Sequence, residues 1–153
     1  MGEKLNAGDV CNRIVTIATR EMTLVAAAQL MRDHHVGCVV VVDESGAAPL
    51  VVGILTDRDI VTAVIAQEVD PATLCVEDVM TADVVTALEQ DSVTDLLGLM
   101  RRQGLRRIPI TTPDRALLGL VTLDDLLGIL AEQLRAMVLA IEAGQLRERK
   151  IRP

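Results

Sequence analysis

The stretch GILTDRDIV at residues 53–61 returns as GLVTLDDLL at residues 119–127. Both read Gly, two apolar residues, Thr, two variable positions, Asp and two more apolar residues. A chain that repeats itself in this way is built from two copies of one supersecondary unit, which excludes most other architectures. Aligning Met31 with Met100 gives an offset of 69 residues, and aligning Gly53 with Gly119 gives 66. Three residues are therefore missing from the second copy. The loss belongs in the turn-rich segments DESGAAP (43–49) and TPDR (112–115), where changes of length are tolerated. A chain of 153 residues has room for about one ordinary domain, so the copies are expected to pack together.

Each copy reads as an extended Thr-containing segment, a helix, two strands joined by a turn, and a second helix. The extended segments are IVTI (14–17) and VVTA (84–87). Thr23 is an N-cap before LVAAAQLMRDHH, and Ser92 with Asp95 forms a capping box before a helix that runs to Gln103 and stops at Gly104. The β-branched runs VVVVD (39–43) and LVVGILT (50–56), like IPIT (108–111) and LLGLVT (117–122), flank turns and read as buried hairpins. After Thr56 and Thr122 the spacing becomes helical, with Ile60, Val61, Val64 and Ile65 in one copy and Leu126, Leu127 and Leu130 in the other. The first copy spans 7–68 and the second 75–131, joined by the acidic linker VDPATLCVED (69–78). Leu134, Met137, Val138 and Ile141 then continue an apolar stripe, predicting an amphipathic helix over 132–149 that needs a surface to cover it.

Composition removes several classes of function. Half of the residues are apolar, yet no run approaches the roughly 18 residues of a membrane span. MGEKLNAGDV carries no export signal, so a soluble, cytoplasmic protein without a membrane partner is expected. A formal net charge of −7 and the absence of Phe, Tyr and Trp argue against nucleic acid, which needs clustered cations or aromatic platforms. Cys11, Cys38 and Cys75 lack paired metal-site spacing and read as reduced thiols. Adjacent His34 and His35 diverge on a helix and read as surface or helix-end residues rather than metal ligands. No nucleophile–base spacing, Walker loop or metal cluster is present, so the expectation is a protein that is not an enzyme.

The repeated motif has two readings. Thr followed three positions later by Asp, between a strand and an apolar helix, is a capping box, and Asp at a helix start suits the dipole. The preceding Gly, present in both copies, lets either another backbone or a ligand come close. Exposed N–H groups at the helix start suit a phosphate, with the Thr hydroxyl donating to it and the carboxylate accepting from a ribose diol. The second reading describes a nucleotide clamp.

Over residues 7–131 the chain resembles the tandem CBS-domain pair, or Bateman module. GILTDRD and GLVTLDD match the family's G-h-x-T-x-x-D segment, and VGCVVVVD and LRRIPIT match its second strand. The resemblance implies an α/β (α+β) fold of two βαββα repeats packed about a pseudo-twofold axis, here with a C-terminal helix. It also implies AMP, ADP, ATP or S-adenosylmethionine as a regulatory ligand and no catalytic cofactor. Thr56 and Asp59 would serve one site, and Thr122 and Asp125 the other. Thr16, Thr86, Gly37, Cys38, Val39, Arg106, Arg107, Ile108 and Pro109 match the adenine-side wall.

The two sites are expected to differ. Arg58 adds a cation between Thr56 and Asp59, whereas Leu123 and Asp124 occupy the matching places, and Asp124 repels a polyphosphate. Arg106 and Arg107 either compensate from the cleft or remain solvated at a strand entrance. The Thr56 site is thus expected to be the stronger for AMP, ADP or ATP. The function implied is an adenine-nucleotide sensor, homodimeric through its apolar helices and acting on an unidentified regulated protein. The alternatives are an interaction module whose motif only caps helices, and a redox or metal sensor at Cys38.

Overall fold

A computed structural model describes residues 5–152. It contains two three-stranded sheets. In the first, β1 (Ile17–Ala18) runs parallel to β2 (Cys38–Asp43), which is antiparallel to β3 (Leu50–Thr56). In the second, β4 (Ala87–Leu88), β5 (Arg107–Thr111) and β6 (Leu117–Thr122) repeat that order. The missing residues fall in the β5–β6 turn, as the offsets require.

The first helices begin and end where their caps say. Thr23 accepts from Ala26 N–H at 3.2 Å and opens α2 (Leu24–Asp33), counted after the short α1 (Ala7–Val10). The motif after β3 starts α3 (Asp57–Ile60), and Ser92 and Asp95 box the start of α4 (Val93–Gln103). Gly104 ends α4 in the left-handed region at φ 64°; at the matching end of α2 that place is held by His35 at φ 54°. Both histidines are exposed at this helix end.

The linker and the N-terminal segment do more than connect. Residues 71–78 form two 3-10 turns that place Val76, fully buried, in the first core beside Leu24, Val39 and Leu55. Thr81 then pairs with Ile54 on the edge of β3, through bonds of 2.9 and 3.0 Å. Residues 5–12 do the same for the other sheet: Ala7 is buried in the second core, and Asn12 pairs with Leu120 on β6 at 2.9 and 3.0 Å. Each repeat is therefore completed by the segment preceding the other. Between the sheets a third cluster of Val40, Val42 and Val51 packs against Val15, Ile17, Val84, Leu117 and Leu120. Leu50 and Ala116, equivalent residues of the two repeats, bridge one another, as a pseudo-twofold relation demands.

This crossing explains the Gly of the motif. A Cβ on Gly119 would stand 2.9 Å from the Asn12 carbonyl oxygen and 2.6 Å from Cys11 Sγ; on Gly53 it would stand 3.2 Å from the Thr81 carbonyl oxygen. Of the two causes the sequence permits, close approach of a backbone is the one realised.

The second helices depart from expectation. After α3, Val61–Ile65 forms a π-helical turn, and of the expected stripe only Val64 is fully buried, while Val61 and Ile65 are exposed. The motif helix of the second repeat and the terminal helix are one continuous element, α5 (Leu123–Ile151), in which Leu126 alone is buried. No described helix is long and apolar enough to cross a membrane.

Candidate functional site

A cleft of about 290 Å³ opens where the two repeats meet. The end of β6 and start of α5 supply Thr122, Leu123, Asp124 and Asp125, and the entrance to β5 supplies Arg106 and Arg107. From the other repeat come Thr16, ahead of β1, and Gly37 and Cys38 at the start of β2. Of these nine residues, all but Leu123 were singled out as site residues by the sequence or its resemblance. Sequence reasoning passed over Asn12, Ile14, Val15, Val36 and Leu120, which also line the cleft. Ile14 is 90% exposed, an unusual position for an isoleucine; the only sequence signal for it was its place at the head of IVTI.

The capping reading of the motif is realised in both copies. Asp125 N–H donates to Thr122 Oγ1 at 3.1 Å, Thr122 N–H donates to Asp125 Oδ2 at 3.0 Å, and the Thr122 hydroxyl donates to the same oxygen at 2.8 Å. In the first copy the reciprocal backbone bonds measure 3.1 and 2.8 Å, but the Thr56 hydroxyl donates to no described residue. At Thr122 the hydroxyl proton is therefore held by Asp125. In each Asp only Oδ2 takes part in the box, and Oδ1 of Asp59 and Asp125 accepts from no described residue.

Backbone bonds fix the two entrances alike: Asp57 N–H donates to the Gly37 carbonyl at 3.0 Å, and Leu123 N–H to the Arg106 carbonyl at 2.8 Å. Arg107 reaches across to the first repeat, where a Cβ on Gly37 would stand 3.1 Å from its Nη2 and 3.3 Å from Asp57 Oδ2. Gly37 is thus the floor beneath an opposed guanidinium and carboxylate. Cys38, beside them, is buried, and burial pushes its thiol up, against the pull of Arg107 and with the help of Asp57. A thiol so held is a poor nucleophile at neutral pH, because the thiolate is the reactive form. Among the described residues no group of three or more His, Cys, Asp or Glu side chains could hold a metal.

Thr16 and Thr86 are not equivalent, although the sequence segments align them. Ile17 pairs with Val40 and Ala87 with Ile110, so the constant offset of 69 makes Thr16 the counterpart of Val85, and Thr86 that of Ile17. A shift of one residue reverses the face of an extended chain. Thr16 lines the cleft, whereas Thr86 occupies the position from which Ile17 packs into the central cluster. Pro109 has a part in this asymmetry. Val40 N–H donates to the Thr16 carbonyl at 3.1 Å, and Pro109, its counterpart, has no N–H to give, so β4 begins one position later. Val39, Ile108 and Pro109 are buried strand residues and do not line this cleft, nor do Thr56, Arg58 and Asp59. Arg58 is exposed.

Comparison with known proteins agrees with this arrangement. The family model of the CBS domain matches the chain twice, over residues 7–66 and 76–132. An uncharacterised protein of Methanopyrus kandleri is 34% identical over 125 residues, which cover 82% of this chain and 62% of that protein. Hypoxic response protein 1 of Mycobacterium tuberculosis is 32% identical over 126 residues, covering 82% of this chain and 85% of that protein. The chain spans 62% to 65% of the length of three of the curated relatives it matches. Among solved structures, the CBS domain pair of protein MJ0100, in complex with 5′-methylthioadenosine and S-adenosyl-L-methionine, is similar with a TM-score of 0.75 and 25% identity, over 86% of this chain and 99% of that one. Two family matches in tandem, on two sheets related by a pseudo-twofold axis, make this chain a member of the CBS-domain family with its repeats arranged as a pair.

Proposed function

We propose that the chain is a regulatory module whose Thr122 cleft binds an adenosine-containing ligand and passes the change in repeat arrangement to a partner protein. The observation that carries this reading is the convergence in one cleft of Thr16, Gly37 and Cys38 from one repeat with Arg106, Arg107, Thr122 and Asp125 from the other. A ligand held by both repeats stabilises one arrangement over another, and only such differential affinity can drive a signal.

The cleft also narrows the ligand. Arg106 and Arg107 offset Asp124 and Asp125, so its charges balance and a triphosphate meets little net attraction. Its volume lies at the small end of ligand pockets, which run to about 300–1,000 Å³. Both features favour AMP or an S-adenosyl compound over ADP and ATP. Ile14, Val15, Val36 and Leu120 supply an aliphatic slot for the base. On this reading the Thr122 site, not the Thr56 site, is the stronger, because the two arginines compensate for Asp124.

The test is calorimetric titration with AMP, ADP, ATP, S-adenosylmethionine and 5′-methylthioadenosine. Asp125→Ala is expected to abolish the principal binding event and Asp59→Ala to spare it. If no compound binds at millimolar concentration, the sensor reading fails. A second reading then stands, that of an interaction module, favoured by capping boxes that are complete without any ligand. Under both readings the chain forms a homodimer, since α5 leaves its apolar residues uncovered.

A further inference from the structure

Beyond Ile129, every residue of α5 is exposed. Helices owe most of their stability in water to packing of an apolar face, and this one has no such packing over about its last six turns. Its apolar residues nevertheless follow a strict pattern. Leu123, Leu127, Leu130, Leu134, Met137 and Ile141 are separated alternately by four and three residues, the seam of a coiled coil. The last five of these are 51% to 64% exposed. The positions flanking the seam include Ala131 and Ala140, which place no bulk or charge in the way of a second helix.

Charge is divided along the same helix. Its first half carries Asp124, Asp125, Glu132 and Arg135, net negative, and its second half carries Glu142, Arg147, Glu148, Arg149 and Lys150, net positive, with Arg152 just beyond its end. We infer that α5 pairs antiparallel with α5 of a second copy of this chain, setting the basic end of each helix against the acidic start of the other. A parallel pair would stack the cations on one another. The antiparallel register that sets these charges against one another places Leu134 opposite Met137 and Leu130 opposite Ile141, with Leu127 facing Gly144 and Leu123 facing Glu148. It carries Leu146 and Ile151 of each copy toward the apolar groove of about 640 Å³ that the other copy forms between its own α4 and the start of its own α5, lined by Leu5, Val93, Leu97, Leu126 and Leu130. Groove and seam are thus one continuous surface. Covering the five exposed seam residues on two copies, at about 200 Å² each when fully bare, removes about 1,100 Å², close to the ~1,200–2,000 Å² of stable interfaces before the groove is counted.

This inference rests on the dimer reading and is independent of the ligand. Lys150 provides a direct test, because Lys4 and Lys150 are the two lysines of the chain. Within one helix Lys150 stands about 38 Å from Asp125 at 1.5 Å per residue, so a zero-length carbodiimide bond between them forms only between copies. The full chain is expected to be a dimer by light scattering and to give, after carbodiimide treatment, a peptide pair joining Lys150 to Asp124 or Asp125. A dimer without that pair overturns the antiparallel geometry alone; a monomer overturns the dimer reading as well. Met137→Glu, at a position 64% exposed and outside every core, is expected to remove both dimer and cross-link while the folded repeats keep their thermal transition. Persistence of the cross-link in that variant also overturns the inference.

Discussion

Replacing Gly119 by Ala tests why the motif contains glycine. The added methyl would lie 2.6 Å from Cys11 Sγ, 3.1 Å from Cys11 Cβ and 2.9 Å from the Asn12 carbonyl oxygen. Comfortable contacts to carbon are ~3.5–4.0 Å, so the overlap approaches 1 Å. The sulfur can rotate aside, but the carbonyl belongs to a backbone held by two hydrogen bonds to Leu120. Displacing it costs about 1–3 kcal/mol for overpacking, plus about 0.5–1.5 kcal/mol for each bond lost, less about 0.5–1 kcal/mol gained because Ala is stiffer than Gly when unfolded. The net expectation is a loss of about 2–3 kcal/mol, or roughly 5–10 °C in Tm for a chain of this size. Gly53→Ala should cost less, about 1 kcal/mol, because its closest contact is the flexible Met80 thioether and its carbonyl contact is looser at 3.2 Å. Urea denaturation of both variants gives the comparison. Combining Cys11→Ala with Gly119→Ala should restore part of the loss, the signature of a shared contact. If Gly119→Ala kept full stability yet lost ligand binding, the glycine would be serving a ligand and the crossing-segment account would be wrong.

Thr16→Val should weaken binding of the best adenosine ligand severalfold, and Thr86→Val should leave it unchanged; equal effects in calorimetry would refute the one-residue offset between them. The Cys38 thiol is raised in the folded chain, so folding favours its neutral form. The stability it contributes is complete below the ordinary thiol pKa and is lost as pH rises through the higher folded value. Alkylation at neutral pH should accordingly be slow at Cys38, and a rate there matching a free thiol would contradict its burial. His35→Gly should stabilise by about 0.5–1 kcal/mol, because a left-handed conformation costs an ordinary residue about 1–2 kcal/mol and glycine gives part of that back in chain entropy. A loss in thermal melting would show that His35 makes a compensating contact.

Local signals were strong enough to read most of the fold. Capping residues at Thr23 and Ser92, the stop at Gly104 and the β-branched runs each act over a few positions, and the structure places their elements accordingly. What the sequence did not disclose is non-local. Asn12 and Thr81 look like ordinary loop residues, and nothing in their neighbourhood announces that each closes the sheet of the other repeat. The same gap affected the site. Thr122, Asp125, Arg106 and Arg107 carry a visible pattern, but which wall they face depends on how two sheets meet. Thr16 and Thr86 show the limit most directly, since similarity of two short segments cannot fix a strand register to one residue. The uncovered length of α5 was legible as a stripe but not as one helix with the motif, because capping at Thr122 says where a helix starts and nothing nearby says where it stops.

The reciprocal completion of the two repeats has a consequence for the order in which the molecule can form on the ribosome. Residues 5–12 are synthesised before either sheet, yet their partners, Glu89, Asp91, Leu120 and the second core, lie in the second half of the chain. The first repeat can close once residues 71–81 have emerged, but the opening segment must wait for β6. Pairings between such distant positions are slow, because loop closure precedes any gain from the contact. The segment 5–12 is therefore the last piece to lock, and a nascent chain halted before Leu117 would hold one finished repeat with that segment still unpaired.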